Sequence, residues 1–204
     1  LSAFGREVIA EMNSLGILVD VSHISDAAFY DVLECSSRPV VATHSCCRAL
    51  AGHPRNMTDD MIRALAARGG VIQINFYPLF LETSFADVLN ESGIMERGET
   101  VEDEYIADPF NPDKRCAWAD VQNQLKALDR PSYKVIADHI DHVVSLVGVD
   151  HVGLGSDFDG IAVTPEGMED ISLLPCLFDE LRSRGYSEDD LFKIASGNFF
   201  SVLG

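Results

Sequence analysis

Apolar residues along this chain follow two alternating spacings. Where they recur every three or four residues they predict helices, which cover 2–15, 26–35, 58–68, 132–148, 175–184 and 187–197. Where they form short continuous runs they predict strands, which cover 17–22, 38–44, 71–77 and 151–160. Glycines and capping residues fall at many of the boundaries between these segments, as helix ends require.

The four predicted strands are typical of a parallel sheet. Each is apolar throughout rather than alternating, which indicates burial on both faces, and helices separate the strands along the chain. Such sheets occur in the doubly wound α/β fold and in the (β/α)8 barrel, and both bind ligands at the carboxyl ends of the strands. Polar residues collect at those ends in this chain: His23, His44, Asn75, Asp157 and Asp159.

The segment 82–130 interrupts this alternation. It is rich in acidic residues and contains Pro109 and Pro112 together with several glycines and asparagines. We predict an exposed acidic insertion with one helix over 118–128, which is either a lid over a site or a solvated excursion without a role. The whole of 1–204 is predicted to be a single domain, because a chain of this length can bury one sizeable core.

Composition and charge narrow the classes of partner. The formal net charge of −18 argues against binding to nucleic acid and to anionic membrane surfaces. No apolar run approaches the roughly 20 residues that span a bilayer, so no membrane segment is predicted. The five cysteines are odd in number and include an adjacent pair, which favours free thiols and a cytoplasmic protein. The sequence does not give the oligomeric state, so a homo-oligomer is left open.

Two histidines occupy equivalent places after neighbouring predicted strands. His23 follows the run 17–22 and His44 ends the run 38–44, so both imidazoles and Asp157 are expected at one rim of the sheet. This set suits zinc or a similar divalent ion; the alternative is that each residue only satisfies backbone groups at its strand end. The other histidines lie on a crossover helix, in a loop or at a strand start and are predicted to be structural: His53, His139, His142 and His151.

Arg55 is expected at the same rim, because it lies in the loop after the strand that carries His44. A guanidinium beside a metal site suits bidentate binding of a substrate carboxylate; a surface ion pair is the alternative. Of the two acids in SDFDG, Asp157 is expected to face the site. Gly160 indicates that a turn has begun, so Asp159 is expected to swing away and bond to backbone donors.

Five stretches together resemble the membrane dipeptidase (renal dipeptidase) family of binuclear zinc peptidases. They follow the family's order and spacing over most of the chain outside 82–130, and they read FGREVIAEMNSLGILVDVSHIS, PVVATHSCCRAL, HPRNMTDDMIRALAARGGVIQINFYPLFL, ADHIDHVVSLVGVDHVGLGSDFDG and the tail from GMEDIS to RGYSEDDLFKIASGN. The resemblance implies an α/β fold of the (β/α)8 TIM-barrel type. It also implies a dipeptide substrate, hydrolysed by a hydroxide that bridges two zinc ions. Some members of the family are anchored at the outer cell surface.

The resemblance assigns roles residue by residue. His23 and His44 match the two histidines that ligate one of the two zinc ions. Arg55 matches the arginine that binds the C-terminal carboxylate of the substrate. Asp157 matches the acid beside the metal-bridging water, and it would hold that water or carry its proton.

The chain lacks the N-terminal motifs of the family, namely an H-x-D pair, a glutamate that bridges both metals and a further histidine. By motif order it carries about the last four β/α units of the barrel, and two histidines alone make a weak zinc site. We expect the missing ligands upstream of Leu1 in the gene; the alternatives are a second chain that completes the barrel, or a non-catalytic binding relic. A different metal-dependent amidohydrolase on the same barrel is also an alternative.

Overall fold

The computed structural model describes residues 1–203, in which helices separate three short parallel strands along the chain. The strands are β1 (Val41–Ser45), β2 (Val71–Ile74) and β3 (Val152–Leu154). The helices are α1 (Ala3–Leu15), α2 (Asp26–Cys35), α3 (Asp59–Ala67), α4 (Pro78–Leu81), α5 (Phe85–Ser92), α6 (Ile94–Ala107), α7 (Pro112–Lys126), α8 (Lys134–Val147), α9 (Leu174–Ser183), α10 (Glu188–Phe192) and α11 (Asn198–Leu203). A π-helical turn, Lys193–Gly197, joins the last two helices.

The helix ends follow the capping signals of the sequence. The side chains of Ser25, Thr58 and Ser187 each accept a hydrogen bond from the backbone N–H three residues further on, which satisfies a donor that the helix leaves free. Gly16 ends α1 in the left-handed conformation at φ 72°, which glycine adopts without steric cost. These local signals therefore place the helix boundaries within a few residues of their predicted positions.

The paired strands of residues 1–203 form one parallel sheet in the order β1-β2-β3. Ile72 of β2 lies between Ala42 of β1 and Val152 of β3, and all three side chains are fully buried. Helices cover the sheet and complete its core, with these residues at the centre: Ile136, Ile140, Val143, Leu177 and Leu181. This arrangement confirms the predicted parallel sheet with helical crossovers.

The segment 17–22 lies beside β1 but does not form the full strand that was predicted. It pairs with β1 only at Asp20, where Val21 N–H donates to Val41 O over 2.8 Å and Val41 N–H donates to Val19 O over 3.0 Å. Further along, Thr43 N–H donates to the Asp20 carboxylate instead of to a backbone carbonyl. A side chain thus replaces the next rung of the ladder, and the segment is a fourth, irregular parallel element.

The segment 82–130 is largely helical, so the prediction of a single helix over 118–128 is wrong. The helices α5, α6 and α7 occupy most of it and enclose a second apolar cluster, formed by Phe85, Leu89, Ile94, Val121, Leu125 and Val163. Val163 belongs to the loop after β3, so the insertion packs against the carboxyl end of the sheet. The many acidic residues of α6 face solvent. Because they outnumber the buried apolar residues of the helix, the apolar spacing that predicts a helix is weak in this part of the sequence.

Residues 1–203 contain neither a membrane-spanning helix nor a disulfide. Within residues 1–203 no helix combines the length and the apolar content needed to cross a lipid bilayer. In the same span all five cysteines are free thiols, and the adjacent pair Cys46 and Cys47 is fully buried.

Candidate active site

His23 and His44 meet at the carboxyl end of the sheet. Their Nε2 atoms are 2.7 Å apart and their ring centroids are 4.8 Å apart. His44 lies on β1, and His23 follows the parallel segment beside β1. These two segments end side by side, so both rings lie at the same point. The His23 side chain is exposed, but partial desolvation of its ring, together with the positive charges of Arg55 and His44, lowers the pKa of His23 and favours the neutral imidazole that a metal ion binds.

Asp157 lies beside this pair, in the turn that follows β3. Its Oδ2 accepts a hydrogen bond of 3.0 Å from Nδ2 of Asn75, a fully buried residue just after β2. The backbone of Asp157 has φ 58°, in the left-handed region that few residues other than glycine, asparagine and aspartate adopt. A Cβ at Gly160 would lie 2.2 Å from Asp157 Oδ1, so the glycine is required for the carboxylate to keep this position.

The side chain of Asp159 is exposed and lines the same cleft as Asp157. It makes no hydrogen bond to any group of residues 1–203, so the expectation that it turns away to bond with backbone donors is wrong. Instead, the backbone carbonyl of Asp157 accepts from the N–H of Gly160 over 2.9 Å and closes the turn. The backbone donor of this turn is therefore paired with a backbone acceptor, and the Asp159 carboxylate stays without a hydrogen bond in the cleft.

The Arg55 guanidinium lies over the ring of Phe80, 5.6 Å from its centroid, and forms no ion pair within residues 1–203. The surface ion pair considered as an alternative is therefore not the arrangement observed. Burial lowers the pKa of Arg55, against the raising effect of the carboxylates of Asp157 and Asp20. The Ser45 hydroxyl donates to the backbone carbonyl of Arg55 over 3.0 Å, which ties this loop to the end of β1.

These groups open onto a cleft of about 600 Å³. His23, Arg55 and Asp157 line one part of it, and the side chains of Tyr77 and Phe80 line another. The insertion supplies a third part through Glu102 on α6 and Trp118 and Gln122 on α7. These aromatic walls were not predicted from the sequence, although the stretch NFYPLF after β2 carries two of the aromatic residues, Tyr77 and Phe80.

The donor atoms fit two positions of a metal site. The Nε2 atom of His44 meets the Nε2 atom of His23, whose ring lines the open cleft, and neutral imidazole is a common ligand of zinc. Residues 1–203 contain no group of three or more His, Cys, Asp or Glu side chains placed to hold an ion. Further ligands from outside this span are therefore needed to complete such a site.

The remaining histidines make local contacts, as predicted. His139 is buried, accepts from Cys47 N–H at Nδ1 over 3.0 Å and donates from Nε2 to Leu81 O over 2.9 Å; burial lowers its pKa to about 4. His142 contacts Asp59, and His151 donates to Gly70 O. His53 accepts from Arg55 N–H and packs on Phe80, so it supports the cleft indirectly.

The chain is similar in sequence to a fungal dipeptidase and in fold to two solved bacterial proteins. "Dipeptidase aclJ" of Aspergillus oryzae is 35% identical over 204 residues, which are 100% of this chain and 38% of that protein. A metallo peptidase from Rhodobacter sphaeroides, solved with a phosphinate mimic of the dipeptide L-Ala-D-Ala, is 29% identical with a TM-score of 0.73 over 100% of this chain and 46% of that chain. The probable dipeptidase PvdM from Pseudomonas aeruginosa is 29% identical with a TM-score of 0.78, over 100% of this chain and 54% of that one.

The chain thus spans about two fifths to one half of the length of these relatives. Its mixed α/β fold, with adjacent parallel strands and helical crossovers, is part of the TIM-barrel-like fold of these metallopeptidases. The family model that describes membrane dipeptidase (peptidase family M19) matches residues 1–204. The chain therefore belongs to the membrane dipeptidase family.

Proposed function

We propose that the protein containing this span is a zinc-dependent dipeptidase, a hydrolase that cleaves the peptide bond of dipeptides. The observation that carries the proposal is the approach of His23 and His44 to 2.7 Å at a cleft that also holds Arg55 and Asp157. Membership of the membrane dipeptidase family supports the same assignment. In this proposal His23 and His44 hold one zinc ion, and the remaining ligands and a second ion come from the rest of the protein.

Each residue of the cleft then has a chemical task. Bound zinc would polarise the scissile carbonyl and lower the pKa of a water. Arg55 binds the C-terminal carboxylate of the substrate; its guanidinium is free to do so because it has no carboxylate partner within residues 1–203. Asp157 accepts the proton of the attacking water, and the hydrogen bond from Asn75 holds its carboxylate in place.

The position of Arg55 also favours dipeptides over longer peptides. Arg55 lines the same cleft as His23, so a carboxylate bound at Arg55 is expected to belong to the residue next to the scissile bond. A longer peptide would place an uncharged amide there and leave the guanidinium unpaired, which costs binding energy. The Rhodobacter relative was solved with a dipeptide mimic, which supports a substrate of this size.

The experiment is to measure zinc content and dipeptide hydrolysis on the full-length protein and on two variants. His23→Ala and His44→Ala should each lower the zinc stoichiometry and abolish hydrolysis, while the circular dichroism spectrum stays unchanged. His151→Gln is the matched control, because His151 lies just before β3, where it bonds to Gly70 O at the opposite end of the sheet. Normal zinc content in both alanine variants would contradict the metal assignment.

The substrate panel separates the dipeptidase from its alternatives. A dipeptide with a free carboxylate should be hydrolysed, whereas the corresponding dipeptide amide should be a poor substrate because it offers Arg55 no carboxylate to bind. Faster turnover of cyclic amides or lactams would instead favour another metal-dependent amidohydrolase. Absence of both zinc and turnover in the full-length protein would favour a non-catalytic binding module.

We also propose a cytoplasmic location, which the five free thiols support. Fractionation of the native cells, with immunodetection of the full-length protein, tests this location.

A further inference from the structure

The carboxylate of Asp20 is bonded to the strand that carries His44. Its Oδ1 accepts from Ser22 N–H over 3.0 Å, from the Ser22 hydroxyl over 2.7 Å and from Thr43 N–H over 3.1 Å. Its Oδ2 accepts from the Thr43 hydroxyl over 2.5 Å. These bonds outweigh the effect of burial, which alone would raise the pKa of Asp20, so its pKa lies below the ordinary value and the group is an ionised acceptor.

The Thr43 hydroxyl also contacts the imidazole of His44. Its Oγ1 lies 2.8 Å from His44 Nδ1. An ionised carboxylate has no proton to donate, so the single proton of the Thr43 hydroxyl goes to Asp20 Oδ2. The hydroxyl oxygen can then only accept, and His44 Nδ1 must carry the proton that bridges the two groups.

We propose that Asp20 and Thr43 are positioning residues that hold His44 in the Nδ1–H tautomer, so that its Nε2 lone pair faces the metal. This inference rests on the proposed metal site. Outer hydrogen bonds of this kind fix the tautomer and the orientation of a ligand imidazole, and their loss typically weakens metal binding by about 10- to 100-fold. Here a hydroxyl stands between the carboxylate and the ring.

The same contacts distinguish the two proposed ligands. In residues 1–203 His23 Nδ1 has no hydrogen-bond partner, and its Nε2 contacts only His44 Nε2. With the proton of His44 on Nδ1, His44 Nε2 accepts, and His23 donates to it from its own Nε2 as long as no ion lies between them. His44 is therefore preorganised as a ligand, whereas His23 must change tautomer when an ion binds.

Ser22 makes a second connection between Asp20 and His44, beside the hydrogen-bond relay that runs from Asp20 through the Thr43 hydroxyl to the His44 ring. Its hydroxyl donates to Asp20 Oδ1 and accepts from the backbone N–H of His44 over 3.1 Å. The Asp20 carboxylate thus controls both the backbone and the ring of His44 through two different hydroxyls. A negative charge on the relay also strengthens His44 as an electron donor to a cation.

The experiment uses the full-length protein with Thr43→Val, Thr43→Ser and a control, Thr164→Val. Valine has nearly the shape of threonine and suits a strand but has no hydroxyl, whereas serine restores the hydroxyl. Thr164 is half-buried in the loop after β3, and its side chain makes no hydrogen bond within residues 1–203. Two quantities are measured: the histidine tautomers of the metal-free protein by ¹⁵N NMR, and the Kd for zinc by chelator competition.

We expect the wild-type protein to show His44 as the Nδ1–H tautomer, and Thr43→Val to show a mixture with Nε2–H. Thr43→Val should raise the Kd for zinc about 10- to 100-fold, Thr43→Ser should stay within a few-fold of the wild type, and Thr164→Val should match it. An Nε2–H tautomer in the wild type, or an unchanged Kd in Thr43→Val, would overturn the proposal. The tautomer is read without metal or substrate, so failure of the relay is distinguishable from failure of the dipeptidase assignment.

Discussion

At the scale of single residues, the two acids of SDFDG lie close together in the chain but in different surroundings. Asp157 is held by Asn75 and by the space that Gly160 leaves, whereas Asp159 is exposed and makes no side-chain hydrogen bond within residues 1–203. A carboxylate that is fixed by a hydrogen bond keeps its oxygens at one position relative to the attacking water, whereas an exposed carboxylate without such a bond does not. The structure therefore supports Asp157 rather than Asp159 as the proton acceptor of the proposed reaction.

We predict that Asp157→Asn lowers kcat at least ~100-fold while zinc is retained, because asparagine keeps the shape but cannot take a proton. Asparagine also tolerates the left-handed backbone at φ 58°, so the turn should survive the change. Steady-state kinetics and metal analysis of the full-length variant measure both effects. Asp159→Asn is the matched control and should change neither kcat by more than a few-fold nor the melting temperature; loss of turnover in this control alone would mean that the other acid is the acceptor.

At the scale of elements, the insertion 82–130 is a wall of the cleft. Trp118 of α7 lines the cleft and stacks on Tyr105 of α6, with 6.3 Å between ring centroids and 12° between ring planes. The cluster beneath these helices includes Val163 from the loop after β3, so the wall is anchored to the sheet that carries the site. The acidic segment is therefore an ordered part of the candidate active site, although its composition is typical of an exposed loop.

We predict that Trp118→Ala raises KM for dipeptides about 2- to 10-fold, since aromatic contacts of this kind contribute about 0.5–1.5 kcal/mol. The value of kcat should change little, because the indole of Trp118 has no group that can bind a metal ion or accept the proton of the water. Phe110→Ala is the control: Phe110 lies between α6 and α7, is 91% exposed and does not line the cleft. An unchanged KM in Trp118→Ala would show that the substrate does not reach this wall.

At the scale of the whole molecule, His139 connects three parts of the chain. From α8 it bonds to the backbone of Cys47 after β1 and to the backbone of Leu81 at the end of α4. Both bonds require a neutral ring with its proton on Nε2, since Nδ1 accepts. Burial of the ring lowers the pKa of His139 to about 4, and protonation in the folded state would also remove the acceptor that the Cys47 N–H needs.

This lowering makes stability depend on pH in a defined window. The unfolded state binds the proton below its pKa of 6.5 and the folded state only below about 4, so the free energy of unfolding falls as the pH is lowered between these values. From pH 7 to pH 5 we expect a loss of about 2 kcal/mol from this group. Urea unfolding of the metal-free full-length protein at several pH values measures it.

His139→Gln is the matched variant for this test, because glutamine offers a donor and an acceptor but does not titrate. It should be less stable than the wild type at pH 7, and the difference between the two proteins should shrink as the pH approaches 5. A constant difference across the window would contradict the assigned role of His139.

Local signals determined much of the architecture. Ser25, Thr58 and Ser187 cap their helices through bonds to the third residue onward, and the uninterrupted apolar runs form a parallel sheet because only burial on both faces accommodates them. The meeting of His23 and His44 follows from the same logic, since neighbouring parallel strands end at one edge. Each of these inferences depends on residues close in sequence or on a general rule of sheet geometry.

Long-range contacts decided the rest. The ladder at 17–22 stops because the Asp20 carboxylate binds Thr43, and the helices of 82–130 form a wall because Val121 and Leu125 pack with Val163. The Asp159 carboxylate makes no hydrogen bond, because the nearby N–H of Gly160 donates to the backbone carbonyl of Asp157 rather than to a side chain. In each case the partner lies on another element or the outcome depends on competition between bonds, and such choices are settled by packing rather than by the periodicity of the chain.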